Sequence, residues 1–437
     1  MRDIVVTLAV FGAVPFILVN PWVGVIVWSW LGYMNPHRLS WSFAFNMPFA
    51  QVTAIATLLG LLLSRERARI SWSLPTQILV ALNLWMTVTT LFAIEPAAAT
   101  DLWLKTIKIQ LMTFVTLALI NDRKKLHSLI WIIALSLGFY GIKGGVFTLT
   151  GGGINQVLGP EGSFFSGNTE TGLVLVMVLP LMRYLHLNEA RRWLRFGLVA
   201  AMLLTGVAIL GTQSRGALVG GIAMAAMLWV KSRNRLPLFM MMMVVIPPLL
   251  AFMPDSWYNK MRTIETYEED TSAMGRIVAW EFATKLALKR PIGGGFGCFT
   301  PESYASYAPE IAAVNDKYQD AHSIYFQVLG NHGFIGLVIY ISLLLATWRL
   351  ASRVMRRSKS SPHLKWAYDA AAMTQVSLVG FMVAGSFLGL AYFDLIFSLI
   401  AIVVITDSLV EQELAEASSA NLAGRSGQLS HAGAWSR

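Results

Sequence analysis

At 437 residues, with 55% hydrophobic and 13% charged side chains, the chain lies well away from an average soluble domain, which carries about 25% charged residues. A net charge of +10 suits nucleic acid, but the basic residues gather in short loops between apolar runs, the pattern that orients a membrane protein. A single cysteine, Cys298, excludes an internal disulfide and a cysteine-based metal centre.

Several apolar runs approach the about 20 residues that cross a bilayer as a helix. Fifteen Trp and twelve Tyr suit a chain with two interfaces to decorate. The expected class is an all-α integral membrane protein, with membrane lipid and no nucleic acid among its partners.

In chain order the apolar spans fall at 4–20, 21–34, 48–63, 76–94, 102–120, 128–148, 171–186, 196–211, 216–230, 236–252, 323–348, 366–388 and 392–405. The first run opens on Met1-Arg2-Asp3 without a small-residue cleavage pattern, so it reads as a retained helix. Proline interrupts the helix at Asn20-Pro21. The two pieces around it are expected to form one broken or partly re-entrant crossing, buried in protein. That gives about twelve transmembrane helices with both chain ends inside.

Basic residues cluster at Arg65/Arg67/Arg69, Arg123/Lys124/Lys125, Arg183/Arg191/Arg192/Arg195, Lys231/Arg233/Arg235 and through 349–365. These connections should be cytoplasmic. The connections at 95–101, 150–170, 213–215 and 253–321 then face outward. The longest is expected to be helical in part: residues 273–288 carry apolar side chains at helical spacing, and Pro291-Ile-Gly-Gly-Gly-Phe-Gly is a break after them. The chain thus divides into an N-terminal transmembrane bundle (1–252), a periplasmic loop with short helices (253–321), C-terminal transmembrane helices (322–410) and a tail (411–437). The tail is small, polar and rich in Gly, Ser and Ala, so disorder is expected there.

The motif census is largely negative. There is no phosphate-binding Walker loop, no nucleophile elbow and no zinc-protease helix motif, and histidine and carboxylate spacings give no metal site. What remains is a set of cations and one histidine. His322 starts a long apolar helix close to Asp316 and Asp320. An imidazole beside a carboxylate is oriented and tuned as a general base near neutral pH; the alternative is an interfacial histidine at a helix start. His332, about 15 Å further along the same helix at 1.5 Å per residue, reads instead as packing, because Gly330, Gly333 and Gly336 let a neighbour approach closely.

Arg215 sits in the turn Gly211-Thr-Gln-Ser-Arg-Gly216. It either offers a bidentate fork to phosphate or snorkels to headgroups. Arg276 follows Ser272-Ala-Met-Gly and is expected to open the outer helix, where phosphate would also meet free N–H groups; taken alone it reads more readily as an ordinary solvated arginine. Lys105 and Lys108 lie three apart near the outer end of one span, and Lys143 is placed alike in another. Lysines inside hydrocarbon are costly and invite either a functional role or ion pairing within the bundle. Together Lys105, Lys108, Lys143, Arg215 and Arg276 map to the membrane face that carries His322, and such a cluster suits a pyrophosphate.

At Ser214-Arg215-Gly216-Ala-Leu, Gly275-Arg276, and His322-Ser323 followed by Gly330, Gly333 and Gly336, the chain resembles the O-antigen ligase/polymerase family. The stretch Tyr33-Met-Asn-Pro-His-Arg38 is similar to a subgroup of exosortase-associated O-glycosylation ligases. The resemblance implies a GT-C-like glycosyltransferase architecture in the bacterial inner membrane. It implies transfer of a glycan from undecaprenyl diphosphate to a lipid A-core sugar hydroxyl, periplasmic, inverting and without metal or other cofactor. Carried over by position, His322 takes the acceptor proton, while Arg215 and Arg276 bind the diphosphate as it leaves. A protein hydroxyl or a growing polysaccharide is the alternative acceptor. A transporter of the lipid-linked glycan ranks last, since it calls for polar groups or broken helices at mid-depth in related halves, and no repeat is seen.

Overall fold

In lipid every backbone N–H must find its partner within its own segment, so apolar runs of this length become helices. The computed structural model describes residues 1–64, 69–232, 234–262, 271–313 and 318–432. Every long element among them is α-helical: α1 (Arg2–Val19), α2 (Pro21–Met34), α3 (Phe49–Leu63), α4 (Leu74–Leu91), α5 (Pro96–Leu119), α6 (Arg123–Thr150), α7 (Asn168–Asn188), α8 (Arg192–Gly211), α9 (Arg215–Lys231) and α10 (Arg235–Phe252). Four shorter helices follow, α11 (Asp255–Arg262), α12 (Thr271–Lys289), α13 (Pro301–Tyr307) and α14 (Pro309–Ala312), then α15 (Ile324–Ser358), α16 (Lys365–Ala384) and α17 (Asp394–Ala432). The chain is an all-α, multi-pass membrane protein. Among the described residues nine helices are long and apolar enough to cross a bilayer, against about twelve expected. The shortfall includes α2, α3 and α9, whose 14, 15 and 17 residues fall below full crossing length.

The first two helices do not make one broken crossing. Pro21 occupies the first position of α2, where its missing N–H costs nothing, so it starts a new helix rather than kinking an old one. The backbone N–H groups of Ser42 and Ala44 donate to Asp3 Oδ1 at 3.1 and 3.3 Å, and Arg2 Nη1 donates to the Leu39 carbonyl. These bonds bring the start of α1 beside the segment that follows α2, so the two helices are antiparallel. α3 runs alongside, with Phe49 packed with Val6 and Val10 and Gly60 against the Ile17 carbonyl. The start of α1 therefore lies at the end of the bundle away from the end of α3, not beside it as expected.

The basic connections converge on the opposite end. Arg123 lies over the Trp366 ring at 5.3 Å, Lys231 over Trp348 at 5.8 Å, and Asn188 Nδ2 donates to Asp369. Arg65, Arg67 and Arg233 fall outside the described residues. Arg357 pairs with Asp407 at 3.6 Å and Glu411 at 2.7 Å, tying α15 to α17. α17 then carries on to Ala432 where a disordered tail is expected from 411; residues 433–437 are not described.

At the outer end, away from the basic connections, α12 covers the helical stretch expected there. The Gly-rich break after it is a wedge. Gly293, Gly295 and Gly297 all have positive φ, and the N–H groups of Gly294 and Gly295 donate to the Gly330 and Asn331 carbonyls at 2.8 Å. α15 is consequently broken at Gly333 (φ 66°, ψ −167°), and Trp85 Nε1 takes the His332 carbonyl. The Gly330, Asn331 and His332 carbonyls at the break are thus taken by inserted backbone and indole, as burial demands.

Candidate active site

His322 stands immediately before Ser323, the residue flanking the start of α15. Its φ is 42°, a left-handed value that costs a non-glycine residue on the order of 1 kcal/mol or more. The neighbouring helices hold it there. Trp280 Nε1 donates to the Ala321 carbonyl at 2.7 Å and stacks on Phe326 with centroids 5.0 Å apart and rings 7° from parallel. Tyr304 OH donates to the Gln319 carbonyl at 3.1 Å. The segment 319–322 is therefore clamped between α12, α13 and the first turn of α15, with the His322 side chain half-buried.

Asp320 lies close enough for its carboxylate to feel the His322 charge. Its side chain reaches solvent but is crowded by protein, and this desolvation raises the carboxyl pKa above the usual aspartate value, with His322 pulling the other way. Asp316, the other carboxylate expected near His322, falls outside the described residues.

Arg276 lies on α12, one turn before Trp280. Gly275 beside it has no room for a side chain, because a Cβ would press on the Gln319 amide. That close approach packs α12 against Gln319 at Gly275, and Arg276, half-buried, is the next residue. α12 is already helical at Thr271, so Arg276 does not open the helix as expected and the N–H groups beside it are not free for an anion.

Arg215 is the first residue of α9, after Ser214, whose Oγ accepts the Ala217 N–H at 3.2 Å. Gln213 is held at φ 53° while its Nε2 donates to the Gly153 and Ile154 carbonyls. The turn at Gly385–Phe387 joins this helix start to that of α15: an added Cβ on Gly216 would lie 3.2 Å from Phe387, and one on Gly385 would lie 2.8 Å from Ile324. Lys260 of α11 adds a second cation here. Burial first, then the charge of Arg215, lowers its pKa.

A cavity of about 200 Å³ opens beside Asp320, lined also by Lys105, Phe296, Gln327, Asn331 and Tyr392. Lys105 therefore shares a cavity with Asp320. Lys108 is exposed one turn along α5 and does not line the cavity. Lys143 is not there either: it lines a different cavity with Arg2, Leu39 and Phe139. The exposed face of α6 that carries it looks towards α1, so the five-cation cluster expected from the sequence is not assembled. Among the described residues, no three His, Cys, Asp or Glu side chains are grouped to hold a metal.

Residues 200–341 match the family model described as O-antigen ligase. That segment, about a third of the chain, is similar to the O-antigen ligase family. The matched segment runs from α8 into α15 and takes in Arg215, Arg276, Asp320 and His322. Residues 1–190 match a family of unknown function (DUF5935), which contains Lys105, Lys108 and Lys143. No curated protein matches the chain.

Within the O-antigen ligase segment, His332 packs rather than faces the cavity. It is fully buried, its Nδ1 bonded to Thr89 Oγ1 at 2.6 Å and its ring edge-on to Phe296 at 4.7 Å. Sequence reasoning missed Asn331, Gln327 and Tyr392. Asn331 accepts from Cys298 Sγ and donates to the Tyr392 hydroxyl, both at 3.4 Å, and Gln327 Oε1 accepts the Ala391 N–H at 3.1 Å. Neutral polar residues in apolar helices give no charge signal, and only the fold brings these three together.

Proposed function

We propose that the protein transfers a glycan from undecaprenyl diphosphate to a lipid A-core sugar hydroxyl at the periplasmic face of the inner membrane. The observation that supports the reading is the clamped 319–322 segment, in which His322 stands two residues after Asp320, a lining residue of the cavity that also holds Lys105, while Gly275 of α12 packs on Gln319. His322 removes the proton from the acceptor hydroxyl. The hydroxyl oxygen forms a bond to the anomeric carbon as the bond from that carbon to the diphosphate oxygen breaks, and the electron pair leaves with the diphosphate. A single displacement of this kind inverts the anomeric centre. Asp320 orients the imidazole and balances the charge it acquires.

Arg276, Arg215 and Lys105 bind the diphosphate and stabilise its growing charge. A lipid diphosphate is already a good leaving group, so positioning and charge stabilisation carry most of the barrier and no metal is invoked. Lys108 and Lys143 have no part in this site.

The test is transfer by the purified protein in lipid nanodiscs, with an undecaprenyl-diphosphate glycan and, separately, lipid A-core, a hydroxyl-bearing peptide and a free oligosaccharide. Product should form on lipid A-core. Arg215→Lys and Arg276→Lys should each lower kcat/KM by roughly tenfold or more, because an ammonium cannot reproduce a bidentate fork. Product on the peptide or oligosaccharide alone would move the acceptor to a different class while leaving the chemistry intact.

A further inference from the structure

The lipid-facing side of α7, α8, α9 and α10 holds a groove of about 380 Å³ that glycan transfer leaves unused. Its walls are apolar, formed by residues such as Met202 and Leu203 of α8, Ile222 of α9, and Met242 and Val245 of α10. α10 contributes no buried residue, so the side chains it turns to the groove are at most partly covered by the described part of the chain. Along α8 the groove runs from Val199 to Leu210, twelve residues, or about 16.5 Å over eleven steps of 1.5 Å. That length matches one leaflet of a hydrocarbon core about 30 Å thick.

The foot of the groove is basic. Arg183 lines it, and Val199 also lines a second cavity of about 340 Å³, together with His186, Arg192, Arg195 and Phe196. Arg183, Arg195 and His186 lie within electrostatic reach of one another. The acids nearby are already engaged. Asp369, which also acts on Arg183, pairs with Lys365 and accepts from Asn188. Glu189 Oε1 accepts the Arg191 N–H. A surplus of positive charge therefore sits at the end of a one-leaflet apolar slot, on the side of the basic connections.

We propose that the two cavities form one seat for an anionic phospholipid, its phosphate on Arg192 and Arg195 and an acyl chain laid along α8 towards α10. Anionic lipid concentrates in the cytoplasmic leaflet, and each Lys or Arg near that surface adds attraction. The polyprenyl chain of a donor is a poorer fit, because its diphosphate belongs at the opposite end beside Arg215. Bound lipid would supply the packing that α10 lacks within the chain.

The test is native mass spectrometry of the delipidated full-length protein, titrated separately with phosphatidylglycerol and phosphatidylcholine. Phosphatidylglycerol should bind more tightly. The double variant Arg192→Gln, Arg195→Gln should weaken it by roughly thirtyfold while leaving phosphatidylcholine unchanged. Gly206 lines the groove, and a Cβ there meets no atom within 4 Å. Gly206→Phe should therefore fill the slot, lowering retention of both lipids with a normal elution profile and unchanged glycan transfer. Equal binding of the two lipids, wild-type binding by the double variant, or displacement of a polyprenyl diphosphate by Gly206→Phe would each overturn the proposal.

Discussion

The first turns of α15 and the whole of α10 are both apolar helix in the sequence, yet they are held in opposite ways. The 319–333 stretch has a left-handed residue at His322, a broken helix at Gly333, and backbone bonds drawn from α4, α12, α13 and the Gly293–Gly295 wedge. α10 buries none of its residues. Strain persists only where surrounding contacts over-determine it, so the difference marks the first region as the place where geometry matters and the second as a surface that lipid completes.

Substitutions in the clamped region should therefore be severe, and those on α10 mild. His322→Ala is expected to lower the transfer rate by roughly a hundredfold or more, the usual reach of a positioned general base, with thermal unfolding little changed. Near-normal transfer would remove the base from the account. Gly333→Ala should be the most destabilising single change, since a Cβ would meet the Pro291 carbonyl at a positive φ; a loss of roughly 3 kcal/mol is expected in denaturant unfolding.

Trp280→Phe keeps the ring that stacks on Phe326 but loses the bond to the Ala321 carbonyl. It should cost about 1–2 kcal/mol and also reduce transfer, because the His322 backbone is no longer pinned. A stability loss without a rate effect would make the clamp purely structural.

Asp320→Asn separates charge from shape. Burial raises the Asp320 carboxyl, so the folded state holds the proton more tightly than the unfolded chain does. That contribution is present below the ordinary aspartate range and disappears as pH rises through the raised value. The variant should therefore be at least as stable as the parent at neutral pH, with its advantage shrinking on acidification, while transfer falls. A melting-temperature series across pH checks the sign. The mildest case is Met243→Ala on exposed α10, expected to change stability by no more than about 0.5 kcal/mol.

The helices were legible because lipid forces apolar runs to close their own hydrogen bonds. His322 and Arg276 stood out because ionisable groups are scarce in this chain. What the sequence concealed was direction. Asn20-Pro21 reads as a break in one crossing, whereas proline at a first helical position begins a second, antiparallel helix. Lys143 has the same sequence context as Lys105, but its face of α6 turns towards α1 and not the cavity. The bend at Gly333 depends on carbonyls bonded to residues 36 positions earlier, which no local pattern encodes. Likewise, Asn331 and Tyr392 meet only through the fold.

Cryo-electron microscopy of the protein in nanodiscs with a non-transferable undecaprenyl-diphosphate glycan analogue addresses the central claim directly. The diphosphate should lie within about 3 Å hydrogen-bonding reach of Arg276 and of Arg215 or Lys105, with the anomeric carbon facing His322. A diphosphate bound among the basic connections, or one held at the outer end but beyond reach of His322, would contradict the account.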